Sequence, residues 1–163
     1  ESVYQQITSF FDVCASEEIT VNHIKLHGAL YNYAAKDAPT ADAVVEAIIA
    51  TKVRPLLYVP PNSILSEKAK NLLPLVFEGF IDRRYEQDLS LVSRTHPQAV
   101  ITTPSEAWQQ LKSMVLKEEV LTLGGLTQPI EASTFCIHGD NPRALEILKF
   151  IHKKLGNHNI KVK

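Results

Sequence analysis

The sequence predicts an α/β fold with a mainly parallel sheet, either covered by helices on both sides or closed into a barrel. Two observations carry this. Short apolar runs of strand length alternate with longer segments whose apolar residues recur every three or four positions, the trace that strand–helix–strand units leave in a sequence. The 163 residues, 45% hydrophobic and 21% charged, suffice for one domain with a sizeable core.

The elements follow in chain order. Val3, Ile7, Phe10, Phe11 and Cys14 share one helical face, so the chain opens with an amphipathic helix. Residues 20–25 read as a strand, with Val21 and Ile24 set among polar neighbours. Ala41, Val44, Val45, Ile48 and Ile49 mark a second helix, started by Pro39 and Thr40. Residues 56–59, bracketed by Pro55 and Pro60-Pro61, fit a buried strand. Asn62 can cap a helix reaching to about Leu73, and Pro74 ends it before a strand at residues 75–80.

Residues 81–98 are polar and irregular, with a charge run from Asp82 to Asp88, and read as a long functional or mobile loop closed by a short strand at residues 99–102. Thr103, Pro104 and Glu106 fill the cap, first and third positions of a capping box, and Ala107, Trp108, Leu111 and Val115 supply the apolar face behind it. Residues 120–131, around Gly124-Gly125, read as an outlying hairpin. A strand at residues 134–138 leads into a last helix with the stripe Ala144, Leu145, Leu148, Ile151 and Leu155. Gly156 ends it, and residues 160–162 supply one more strand. No repeated block or internal domain boundary is evident, so residues 1–163 are expected to form a single domain.

Composition excludes several roles. Lys plus Arg (17) nearly cancels Asp plus Glu (18), against nucleic acid as a main partner. No apolar run approaches the roughly 20 residues of a membrane helix, so the chain reads as soluble. Two cysteines, Cys14 and Cys136, form no disulfide framework and suggest a cytoplasmic home. GxxxxGK and GxGxxG phosphate loops are absent, as is a helical HExxH pair. The chain opens on Glu1 within a helical pattern, from which an upstream segment is expected.

Chemistry in a parallel sheet gathers at the carboxyl ends of its strands. Lys25 and His27 end the first strand, Glu78 and Asp82 follow the third, and His138 with Asp140 follow the last. These six are the candidate catalytic residues, expected on one rim around one pocket. Arg83, Arg84 and Arg94 lie in the long loop that could fold over it. Glu78, behind Leu75-Val76-Phe77, is a buried acid, a carboxylate paired with a cation such as Lys25, or an outward-facing strand residue. Gly28 and Gly139 each follow a histidine, which fits a tight turn or a backbone amide close to a ligand. A metal held by the two histidines and nearby carboxylates stays open on weak evidence.

Read as strings, IKLHGALYN (residues 24–32), EGFIDRRY (78–85), LVSRTHPQAVI (91–101) and CIHGDNP (136–142) resemble, in this order and spacing, the LamB/YcsF lactam-utilisation family, described as the A subunit of 5-oxoprolinase. The resemblance implies a deformed (β/α) barrel. It also implies a role in the ATP-dependent opening of 5-oxoproline to L-glutamate, with partner subunits B and C; with no phosphate loop in this chain, ATP is expected on a partner subunit or between subunits. It adds Tyr31 and Asn32 to Arg83, Arg94, Gly28 and Gly139 as substrate-binding candidates. Leu26, Gly79, Ile81, Arg84 and Ser93 depart from the family's usual Pro, Val, Ala, Ala and Pro, and none of these exchanges removes a titratable group. Family members run to about 250 residues, the usual size of such a barrel, so this chain is expected to be the carboxyl-terminal two-thirds of a LamB/YcsF-type barrel, and thus an incomplete barrel by itself.

Two other readings stand beside this one. The first is a metal-dependent hydrolase or deacetylase with His27, His138 and Asp140 as ligands and a small or carbohydrate substrate. The second is a truncated, non-catalytic binding subunit.

Overall fold

The computed structural model describes residues 2–158 and 160–162. Glu1, from which an upstream segment is expected, lies outside the described residues. The chain divides into two compact units, residues 1–77 and 78–163.

The first unit runs α1 (Ser2–Ser16), β1 (His23–Lys25), α2 (Gly28–Ala34), α3 (Ala38–Ala50), β2 (Leu56–Val59), α4 (Ile64–Ala69) and the first half of β3 (Leu75–Phe80). β1 is parallel to β2, with His23 opposite Leu56 and Lys25 opposite Tyr58. β2 is parallel to β3 through Leu57–Leu75 and Val59–Phe77. α3 is the central helix. Asp37 caps it by accepting from the Thr40 amide and hydroxyl at 2.9 and 2.6 Å, which hold its carboxyl below the usual carboxylate range. Its buried face is Ala41, Val44, Val45 and Ile48, the expected stripe with Ile49 at the margin.

Three expectations are corrected in this unit. The first strand is three residues long, not six, because the polar residues before it add no apolar alternation. α2 was missed, since GALYNYA offers only two turns of periodicity. The cap of α4 is Ser63, not Asn62, and the helix ends at Ala69 rather than near Leu73. Ser63 Oγ accepts from the Ser66 amide at 3.1 Å, while Asn62 sits in the left-handed region at φ 54°, where asparagine is tolerated.

The second unit takes the other half of β3 and adds α5 (Pro104–Lys117), β4 (Glu119–Leu121), β5 (Thr127–Pro129), β6 (Thr134–Cys136) and α6 (Ala144–Asn157). β3 is parallel to β6, with Glu78 opposite Thr134 and Phe80 opposite Cys136. β4 and β5 form the expected antiparallel hairpin. Ile81, Ile101, Ala107, Trp108, Leu111, Ile147 and Ile151 make one buried cluster between α5, α6 and the strand ends. All pairings among β1, β2, β3 and β6 are parallel, so the α/β class stands.

Corrections fall here too. Thr103 precedes α5 as expected but makes no side-chain cap bond, and Glu106, the other half of the box, is ion-paired with Arg84 instead of reaching back to it. Residues 99–102 form no ladder, only a bridge from Val100 to Arg83. On α6 the buried residues are Ile147 and Ile151, whereas Leu145 and Leu148 are exposed. Gly156 lies within α6, which ends at Asn157, and Ile160, Lys161 and Val162 form no strand. The long loop is anchored rather than loose: Tyr85, Leu89 and Val92 are buried, the Phe80 amide donates to the Tyr85 hydroxyl at 2.7 Å, and burial pushes that phenol well above its ordinary pKa.

Candidate functional site

In the second unit the parallel register itself creates the site. Phe80 and Cys136 are register partners, and the chain leaves each strand through one more residue to Asp82 and His138. Both lie two positions beyond that pair and so on the same side. Their side chains meet, with His138 Nδ1 2.9 Å from Asp82 Oδ1. Asp82 Oδ2 accepts from the His138 backbone amide at 3.0 Å and from Asn141 Nδ2 at 3.1 Å. The imidazole stacks on Phe80 at 5.2 Å between ring centroids.

Asp82 is fully buried. Burial pushes its carboxyl up, but the bonds from the His138 ring, the His138 amide and Asn141 outweigh it and hold the pKa below the ordinary value. An ionised carboxylate only accepts, so His138 Nδ1 carries the proton and Nε2 is the ring nitrogen open to a reacting group. The His138 side chain is 24% exposed. A half-buried imidazole oriented by a buried carboxylate can take a proton from water or return one to a leaving nitrogen.

Asp140, two residues further on, is exposed and ion-paired with Arg94, whose Nη1 lies 2.5 Å from Oδ2 and Nη2 3.4 Å from Oδ1. The Arg94 bond lowers the Asp140 pKa and raises that of Arg94. Arg83 is buried; its Nη2 donates to the Val92 carbonyl at 2.6 Å and its Nε to the Ala99 carbonyl at 3.3 Å. It ties the two ends of the long loop together. Burial, with the nearby Arg94 charge, lowers its pKa. Glu78 is 3% exposed, which disposes of the outward-facing alternative. Gly139 has no left-handed φ, so its backbone does not demand glycine.

In the first unit Lys25 is half-buried and His27 exposed. Lys25 Nζ lies 5.9 Å from the centroid of the buried Tyr31 ring, within cation–π range. His27 is the extended residue before α2 and makes no side-chain cap bond. Gly28 follows at φ +60°, where a side chain is strained, so this glycine makes the turn from β1 into α2. Asn32 is exposed and donates weakly to the Gly28 carbonyl at 3.4 Å.

Sequence reasoning missed Asn141 and Gln110. Gln110, buried on α5, donates to the carbonyls of Phe80 and Arg83 at 2.8 Å each and fixes the chain on either side of Asp82. Gln110 is a single amide without a motif and Asn141 is one letter of the CIHGDNP string with nothing in it to name its partner, so only the folded register reveals their roles. Among the described residues, no three His, Cys, Asp or Glu side chains gather to hold a metal ion. Arg83 thus faces backbone carbonyls and Arg94 faces Asp140.

A profile of the LamB/YcsF family matches residues 1–163. The A subunit of 5-oxoprolinase from Symbiobacterium thermophilum is 38% identical over 94% of this chain and 59% of its own length. That of Clostridium beijerinckii is 36% identical over 98% of this chain and 63% of its own. Among solved structures, a lactam utilization protein from Thermus thermophilus superposes with a TM-score of 0.88 at 33% identity, covering 99% of this chain and 64% of that one. The chain thus spans less than two-thirds of the length of these relatives.

Proposed function

The chain belongs to the LamB/YcsF family, and from that premise we propose that it works as part of the A subunit of a 5-oxoprolinase, in the ATP-dependent opening of 5-oxoproline to L-glutamate. The observation that carries the chemical part of this reading is the buried Asp82 carboxylate fixing His138 at the carboxyl ends of two parallel strands. Names of relatives at 36–38% identity over nearly the whole chain support the substrate class. In the same reading, residues 1–163 act as one domain, a part of the family's longer (β/α) barrel, in the cytoplasm.

Opening the ring adds one water. A bond forms from water oxygen to the lactam carbon, the carbon–nitrogen bond breaks, and the nitrogen takes up a proton. ATP activates the lactam oxygen for this attack by passing its terminal phosphoryl to it and leaving as ADP, and a second water then releases that phosphoryl as inorganic phosphate; because the sequence has no phosphate loop, the ATP site is assigned to a partner subunit or to the space between subunits. The donor set fits no metal either, so no step is assigned to one. His138 Nε2 removes the proton from the attacking water and delivers it to the ring nitrogen. The substrate carboxylate replaces Asp140 on Arg94, an exchange of one carboxylate for another on the same guanidinium. Asp140, so released, orients the water. In the second unit the Gly139 backbone serves as a substrate contact, Glu78 stays in the catalytic set, and Arg83 supports binding by holding the loop that carries Arg94; in the first unit Lys25, His27, Tyr31, Asn32 and the Gly28 backbone, around the carboxyl end of β1, serve in catalysis and binding.

The test is glutamate formation from 5-oxoproline and ATP by this chain mixed with subunits B and C, beside a form extended to the length of the relatives and a His138→Ala variant of each. Activity that falls at least about a hundredfold on exchange of His138 supports the reading. Full activity in the variant removes His138 from the chemistry. Silence of both forms with B and C partners that do work alongside the corresponding chain of a relative overturns the assignment and leaves a binding-only chain.

A further inference from the structure

We propose that Asn141 is a positioning residue that locks the Asp82 carboxylate and, through it, the tautomer of His138. This rests on the reading of His138 as the proton-transfer residue and extends it to a further side chain of the same CIHGDNP string.

Asn141 is 5% exposed, and each polar group of its side chain has a partner. Nδ2 donates to Asp82 Oδ2 at 3.1 Å and to the Ile101 carbonyl at 3.0 Å, and Oδ1 accepts from the Arg143 amide at 3.0 Å. The amide orientation is dictated by those partners: the first two only accept and the third only donates, so a flipped amide would set like against like at all three. A turn role explains only the bond to Arg143, which any Asx residue could make. It leaves unexplained why the amide nitrogen faces a buried carboxylate.

The geometry shows what that bond does. Asp82 Oδ2 receives two donors, Asn141 Nδ2 and the His138 amide, which leaves Oδ1 for His138 Nδ1. The Asn141 backbone amide in turn donates to the His138 carbonyl at 3.1 Å, and the Ile101 amide donates to the Asp82 carbonyl at 2.8 Å. Asn141 therefore joins the segments after β3, before α5 and after β6 at the one carboxylate that orients the imidazole. Without its donor the carboxylate is held from the peptide side alone and can rotate away from Nδ1.

Nitrogen-15 spectroscopy of the six histidines in the 163-residue chain tests this without substrate or partners, with His138→Gln identifying the signal. The unaltered chain at alkaline pH should show Nδ1 of His138 protonated and Nε2 bare. Asn141→Leu keeps volume and removes both donors; Asn141→Asp keeps the acceptor for Arg143 and replaces the donor with a carboxyl. In both, the ratio of the two tautomers should fall by about tenfold, the size of one ordinary hydrogen bond, with circular dichroism reporting the fold. A wild-type Nε2–H tautomer overturns the proposal, as does an unchanged ratio in the variants. If Asn141→Leu does not fold, the wild-type spectrum and Asn141→Asp decide. A shifted ratio alongside an active His138→Ala complex would uphold the positioning and refute only the catalytic reading.

Discussion

Replacing Asp82 with asparagine removes a buried charge while keeping its shape. Three donors converge on the carboxylate: the His138 ring, the His138 amide and Asn141. An asparagine oxygen placed at Oδ2 still accepts two of them, but its amide nitrogen then meets His138 Nδ1 and forces the other tautomer. A hydrogen bond to a charged group contributes about 1.5–3 kcal/mol and a neutral one about 1. Weakening two and breaking one costs about 3–5 kcal/mol, and relief from burying a charge returns part of it, leaving a net loss of about 2 kcal/mol. For a chain of this size that lowers Tm by about 4–8 °C. The folded-state pKa of Asp82 is depressed, so its contribution is complete above the unfolded value of about 3.9 and is lost as pH falls through the folded value. Thermal unfolding followed by circular dichroism at pH 7 and pH 3 should show the gap between wild type and Asp82→Asn at the first and its closure toward the second. Equal melting at pH 7, or a gap that persists undiminished at pH 3, would refute the argument.

Other outcomes follow from the same geometry. Gly28→Ala should destabilise by about 1–2 kcal/mol because its φ is +60°, while Gly139→Ala should stay within about 0.5 kcal/mol; equal denaturant midpoints for the pair would contradict this. Arg94→Ala breaks an exposed ion pair and should leave stability within about 1 kcal/mol, yet raise KM for 5-oxoproline in the assembled enzyme by about tenfold or more. An unchanged KM would separate Arg94 from substrate. At Gly79 a Cβ would stand 3.2 Å from Ala132 Cβ, Met114 Sδ and Phe135 Cδ1. Gly79→Val, toward the residue usual in the family, should therefore cost about 1–3 kcal/mol by overpacking, and chemical denaturation giving no loss would show that the pocket yields.

What the sequence made legible depended on how local the cause was. β2 and β3 are legible to the residue because Pro55 and Pro60 bracket the first apolar run, and Pro74 opens the second, which ends just before the charged stretch that begins at Asp82. Asp82 and His138 were found because strand ends in a parallel sheet carry chemistry, a rule that needs no coordinates. Hidden features had causes distant in the chain. Glu106 abandons its capping role for Arg84, 22 residues away. The face of α6 turns on which of several apolar residues meets Trp108 and Leu111, so Ile147 is buried and Leu148 is not. Asn141 acquires meaning only from Asp82, 59 positions earlier.

β3 also has a history within the folding of each chain. Leu75 meets Leu57, 18 residues away, whereas Glu78 meets Thr134, 56 away, so closing the second ladder costs about 1 kcal/mol more in chain entropy and comes later. In the interval the Glu78–Phe80 half of the strand presents bare amides and carbonyls, an invitation to pair with another molecule. An acid within that stretch repels a second copy of itself, so Glu78 guards the half-built strand before it serves anything else. Refolding Glu78→Gln at rising concentration should lose more material to aggregates than wild type does, and equal recovery would deny it that part.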